Sequence, residues 1–212
     1  MKKFRARFVV YARKADADGF LYWLDVSSLA SPDEVAALLT GSFAELSGGY
    51  VLLFNNRVWN SPKHCNFDPR HVWCEIDSVS YALAMVQDIA LNLTEPGEHT
   101  ISSAEMLSVR LAHGAPGQIT IEGLTYRGEP RFPVETVTLA RFARQMRAAT
   151  NDFVRVARGE MERRLKALTP DQRSSVEEAN RTLIGRFEQA AECLRTIERS
   201  GAVRAGSGDV AP

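Results

Sequence analysis

The sequence predicts an α+β protein: a small, mostly antiparallel sheet with two packed helices, followed by a long C-terminal αα-hairpin. Three observations carry that expectation. Short alternating or wholly apolar runs separated by turn residues fill the first two thirds of the chain. From Leu139 the apolar residues fall at Leu139, Phe142, Met146, Ala149, Phe153 and Val156. After Thr169-Pro170-Asp171-Gln172 they resume at Val176, Leu183, Phe187, Ala190, Leu194 and Ile197. Steps of three and four residues put each set on one helical stripe. The implied division is an α+β domain at 1–138, a helical hairpin at 139–199 and a disordered tail at 200–212, where Gly, Ala and Ser accumulate.

The elements follow in order. Phe4, Ala6, Phe8 and Val10 alternate with Arg5, Arg7 and Val9, the pattern of a half-buried strand. Asp16-Ala17-Asp18-Gly19 reads as a turn into a second strand, Phe20 to Val26. Ser31, Pro32 and Glu34 then form a helix start, with Val35, Leu38, Leu39, Phe43 and Leu46 as its buried face. Ser47-Gly48-Gly49 is expected to end that helix. Tyr50 to Phe54 is apolar throughout, which predicts a strand covered on both faces. Asn55-Asn56 suits a tight hairpin turn returning through Arg57-Val58-Trp59.

Residues 60–72 read as a loop. Asp77 or Ser78 caps a helix with Val79, Leu83, Val86, Ala90 and Leu93 on one stripe, stopped by Glu95-Pro96-Gly97. Leu107, Val109 and Leu111 give a strand, Ile119 and Ile121 its antiparallel partner, and Val134 to Thr138 a last short strand leading into the hairpin. In the first hairpin helix the stripe runs to Val156, but the next position in phase is Glu160, preceded by Gly159. Interior glycine weakens a helix and a buried carboxylate needs a partner, so a kink or a change of packing partner is expected near Arg158–Met161.

The 45% hydrophobic and 25% charged fractions are those of an ordinary soluble globule. The 26 basic and 26 acidic residues cancel overall, but residues 61–135 carry net −5 and residues 136–212 net +4. Zero net charge argues against a dedicated nucleic-acid binder. Three cysteines form no disulfide framework. No stretch approaches the ~20 apolar residues of a membrane span. The expected location is the cytoplasm.

One cluster has donors of the right kind for a metal: His64, Cys65, His71 and Cys74. Two imidazoles and two thiols supply the four N/S ligands that Zn²⁺ takes, and a metal-dependent enzyme using this loop is the alternative reading. The spacing argues against it, because the cysteines stand nine positions apart and His64 and Cys65 are adjacent. The plainer reading is a surface loop anchored by Trp59, Phe67 and Trp73, with Cys74 as a small buried apolar side chain. Nucleophilic catalysis by Cys65 or Cys74 with His71 lacks an orienting third group. The chain contains no G-x-G-x-x-G, phosphate loop, G-x-S-x-G or H-E-x-x-H, and no cofactor is expected.

Arg141, Arg144, Arg147, Arg155 and Arg158 fall on an arc roughly opposite the apolar stripe of the first hairpin helix. As a run of charge it reads first as a solvated face. As a surface for an acidic partner it would exploit the planar fork of Arg, which pairs bidentately with carboxylates. Self-association through the hairpin, as a structural or oligomerising protein, is a further expectation.

The order of Tyr50–Phe54 with Arg57–Trp59, then Leu107 to Leu111, Ile119 to Ile121, and Val137-Thr138-Leu139 running into a long amphipathic helix resembles intracellular immunity proteins of bacterial polymorphic-toxin systems. That resemblance implies a non-catalytic inhibitor that binds one cognate toxin and blocks its active site. It carries no diagnostic motif and assigns no residue a role.

Overall fold

The computed structural model describes residues 2–15, 21–28, 39, 41–61, 65–68, 78–104, 107–125 and 127–206. The α+β class is observed, with two antiparallel four-stranded sheets in place of the single small one expected. The first has the order β2-β1-β3-β4, from β1 (Phe4–Ala15), β2 (Leu21–Asp25), β3 (Gly48–Phe54) and β4 (Arg57–Val58). The second is a meander of β5 (Glu98–Ala104), β6 (Leu107–His113), β7 (Gln118–Leu124) and β8 (Pro130–Thr138). The described helices are α1 (Val79–Asn92), α2 (Leu139–Ala167) and α3 (Ser175–Gly206). None of them is long and apolar enough to cross a membrane.

Alternation along β1 explains the first sheet. Phe4, Ala6, Phe8 and Val10 point into the main core, while Val9 joins Val51, Leu53 and Val58 in a separate cluster on the other face, with Cys65 and Phe67 packed against it. The sheet is thus covered on both sides, as the unbroken apolar run of β3 predicts. Asn55 and Asn56 take φ of 51° and 65°, the left-handed pair of a two-residue hairpin turn. The expected glycine stop is corrected: Gly48 and Gly49 open β3, paired with Val10 and Val9. Gly48 serves close approach, since a Cβ on it would stand 2.9 Å from the Val9 carbonyl oxygen. Most of the helix expected from Ser31 lies outside the described residues; Leu39 is buried and Phe43–Glu45 forms a short 3₁₀ turn.

In the second sheet Ile101, Val109, Leu111, Ile119, Ile121 and Val137 face the core. Polar Ser108, Arg110, Thr120 and Glu122 alternate with them along β6 and β7, and Arg110 pairs with both Glu98 and Glu122. Strand β5 escaped the sequence reading because Glu-His-Thr-Ile-Ser-Ser-Ala contains a single large apolar residue, Ile101, which is buried. Gly123 faces Phe132, whose Cδ2 would lie 2.4 Å from an added Cβ.

Every residue expected on the α1 stripe is buried. The hairpin helices lie on the first sheet through an aromatic ladder. Phe4 meets Phe142 at 5.4 Å, Phe8 stacks on Phe153 at 4.4 Å, and Phe153 meets Phe187 at 4.9 Å between ring centroids. Such pairs contribute about 0.5–1.5 kcal/mol each beyond their burial. Thr150 on α2 accepts a hydrogen bond from the Tyr50 hydroxyl at 2.8 Å and donates its own proton to the Met146 carbonyl. Burial therefore raises the Tyr50 pKa far above its ordinary value, against the smaller pull of Thr150. One continuous apolar cluster spans both sheets and all three helices.

Three expectations for the hairpin need correction. Helix α2 runs unbroken through Gly159, and Glu160, 3% exposed, finds its partners on its own helix. Arg163 and Arg164 donate to it at 2.7–3.0 Å. Burial works against ionisation of Glu160, yet these hydrogen bonds and charges hold its pKa below the ordinary value. Pro170–Gln172 forms a separate 3₁₀ turn capped by Thr169, whose N–H donates to the Gln172 side chain; α3 begins at Ser175, and Val176, expected on its buried stripe, stands 38% exposed in the first turn. Finally, α3 continues past Ser200 to Gly206, with Gly201 packed closely against Leu139 and Ala140.

Candidate protein-contact surface

Of the seven arginines of α2, the five expected on one arc, Arg141, Arg144, Arg147, Arg155 and Arg158, do not share one solvent face. Arg144 and Arg147 both donate to the Glu198 carboxylate of α3, at 2.8 and 2.9 Å, and Arg158 pairs with Glu188. Burial disfavours the Glu198 anion, but Arg147 and Arg144 outweigh it and lower its pKa. These three side chains bolt the antiparallel hairpin along its length, so the early half of α2 packs on α3 as firmly as the late half. Arg155 remains exposed beside Asp152. The Asp152 carboxyl is pushed up by burial, drawn down by Arg155 and Arg7, and pushed up again by Asp25. Arg141 is half-buried in the first turn, where its N–H is capped by Thr138 Oγ1. A wheel drawn for α2 alone could not show that α3 covers one flank of the arc.

Of the loop cluster, only Cys65 lies among the described residues; His64, His71 and Cys74 do not. Cys65 is half-buried against Val9, Val51, Leu53 and Val58, and its carbonyl accepts from the Val58 N–H at 2.9 Å. Phe67 packs on the same cluster, and its N–H donates to Asn56. The described part of the loop thus closes the outer face of the first sheet. Among the described residues no group of three or more His, Cys, Asp or Glu is placed to hold a metal ion. His99 and His113, far apart in sequence, bring their rings to 6.3 Å across β5 and β6.

Recesses open on the described surface, among them two of ligand size. One lies between the β3–β4 hairpin and β8, about 600 Å³, beside Trp59 and Lys2. Its polar groups are largely committed within the chain: Lys2 pairs with Glu135 at 2.6 Å, and the Trp59 indole donates to the Pro133 carbonyl at 2.7 Å.

The other, about 500 Å³, is a groove between α1 and α3 with Ala90 and Ala190 in its floor. Its walls hold Gln87, Leu91, Thr94, Gln189, Cys193 and Thr196, without a charge among them. Leu91 stands 73% exposed at the α1 rim and Cys193 is an exposed free thiol on the α3 side. The neutral character extends along α3 from Gln189 through Cys193 and Thr196 to Ser200, all exposed, and ends at Arg186, the next position in phase toward the N-terminus. Elsewhere on the same helix the surface is dense in paired charge: Glu188 with Arg158, Glu192 with Arg195, Glu198 with Arg144 and Arg147. At one end Arg186 reaches over to donate to Gln87 Oε1 at 2.7 Å.

The sequence reading passed over this patch because it sought charge and chemistry. The available signals were a leucine out of phase with the α1 stripe and a short uncharged line, Gln189, Cys193, Thr196 and Ser200, at helical spacing in a charge-rich helix. No family model matches the chain, and neither a curated protein nor a solved structure matches it.

Proposed function

We propose that the chain is a protein-binding module, acting by contact and not by chemistry. The observation that supports this best is the uncharged α1–α3 patch, with Leu91 exposed beside an apolar recess. What distinguishes the centre of a protein interface is depletion of charge, with a few apolar anchors set in it. The neutral stretch from Gln189 to Ser200 contrasts with the ion pairs that Glu188, Glu192 and Glu198 make on the rest of α3.

The resemblance to immunity proteins extends the reading: the partner is a cognate bacterial toxin, neutralised by occlusion of its active site in the cytoplasm. Cys65 and Cys193 are not joined in a disulfide, which suits a reducing compartment. The test is co-expression with the toxin encoded by the neighbouring open reading frame. The reading predicts a stable complex on gel filtration and restored growth. A toxic neighbour that neither binds nor is neutralised would remove the toxin role. About one equivalent of zinc surviving dialysis, with a melting temperature that falls on chelation, would support the opposing enzyme reading through His64, Cys65, His71 and Cys74.

A further inference from the structure

We propose that the recess between the β3–β4 hairpin and β8 binds a small zwitterion, an amine and a carboxylate joined by an apolar stem. The site is separate from the α1–α3 patch and stands whether or not that patch meets a protein.

Glu135 carries the argument. It lies opposite Ile121 in the β7–β8 ladder, as Val137 lies opposite Ile119. Residues opposite each other share a face, and Ile119, Ile121 and Val137 all enter the core. A carboxylate therefore occupies a core-facing place on an edge strand, where it is nine-tenths buried. An apolar side chain would serve the fold as well there, because a buried ion pair at best roughly offsets its own desolvation. The pairing is also incomplete. Lys2 Nζ donates to Oε1 at 2.6 Å from a side chain that is 55% exposed, while Oε2 accepts no hydrogen bond among the described residues. One carboxylate oxygen is left for donors that enter the recess, which Glu135 lines.

Arg57 supplies the opposite pole. It pairs with Phe54 in the β3–β4 ladder, so its side chain leaves the sheet on the face of Phe54 and lines the same recess. It is exposed, and its guanidinium makes no ion pair or hydrogen bond among the described residues. Arg57 and Glu135 do not pair with each other, so a ligand that uses both must span the gap. Phe54, Trp59 and Pro133 give the recess apolar edges for a stem, and its volume of about 600 Å³ falls in the range of small-molecule sites.

The lining selects the class of ligand. A lone cation would face Arg57 and Lys2, and a lone anion would face Glu135. A zwitterion meets each charge with its opposite. The chain itself displays the amine half of the contact, in the ammonium of Lys2 set on Glu135.

The experiment is a titration of the full chain with ε-aminocaproate, followed by amide and indole N–H shifts in NMR spectra. Hexylamine and hexanoate are its single-charge counterparts. A Kd of about 1 mM is expected for a ligand of this size, and each counterpart should bind several-fold more weakly. Glu135→Gln and Arg57→Gln should each weaken binding of the zwitterion about tenfold, the worth of one hydrogen bond to a charged group. Lys2→Ala breaks the same ion pair as Glu135→Gln but frees Oε1, so affinity should hold or rise. Arg57 is exposed, so its variant tests the proposal even where Glu135→Gln fails to fold. No saturable shift at the recess, equal binding of either counterpart, or zwitterion affinity unmoved by Arg57→Gln would each overturn the proposal. So would a loss on Lys2→Ala equal to that on Glu135→Gln, which would reduce Glu135 to a partner for Lys2.

Discussion

Helix α3 meets its two helical neighbours in opposite ways. Against α2 it buries Leu183, Ile184, Phe187 and Leu194 and fixes the contact with Glu188 and Glu198 on the arginines of α2. Against α1 it buries Ala190 and leaves Gln189, Cys193 and Thr196 along an open groove. The first contact is a core seam completed inside the chain. The second is a shallow contact whose outer half has no cover among the described residues. The difference teaches where the energy of the fold lies, and where a surface was left neutral at no cost to that fold.

The largest expected effect falls on the closed side. Phe187 is fully buried and touches both Phe8 and Phe153, so Phe187→Ala should cost about 3–5 kcal/mol in urea unfolding. A loss below about 0.5 kcal/mol would erase the distinction between the two faces.

Glu160 should come next. Glu160→Gln leaves Arg163 and Arg164 without their carboxylate, at about 1–3 kcal/mol near neutral pH. The pKa of Glu160 is lowered in the fold, so its contribution is present above the unfolded value of about 4.3 and fades as pH falls through the lower folded value. The gap between wild type and variant should therefore narrow below about pH 4. A gap that widened on acidification would contradict the pairing.

On the open side Leu91→Ser should change stability by no more than about 0.5 kcal/mol, because 73% of that residue already faces solvent. A loss near that of Phe187→Ala would mean the patch is part of the core.

How much of this was readable beforehand follows the same division. The seam was legible: Leu139 to Val156 and Leu183 to Ile197 repeat at helical spacing, and burial follows that repeat. So was the α1 stripe, and so was the Asn55-Asn56 turn, whose chemistry is local. Elements decided by distant partners were not. Gly48-Gly49 resembles a helix stop in sequence and becomes a strand because Val9 and Val10 pair with it. Strand β5 is nearly all polar because it occupies a sheet edge with one face inward. Glu160 suggested a kink because its phase showed it would be buried, but not that arginines three and four residues later would satisfy it. The arginine arc looked like a surface because a single-helix wheel omits the Glu188 and Glu198 of the facing helix. The groove went unseen because a lack of charge becomes a signal only once two helices are known to lie side by side.

Cys193 gives the most direct test, since its thiol is exposed on the α3 side of that groove. Its maleimide labelling rate, followed by peptide mass spectrometry at constant reagent excess, should fall several-fold when the co-expressed partner protein is bound. The rate at Cys65, packed on the first sheet, should stay constant. A Cys193 rate that the bound partner leaves unchanged would contradict the claim that this face is the protein-contact surface.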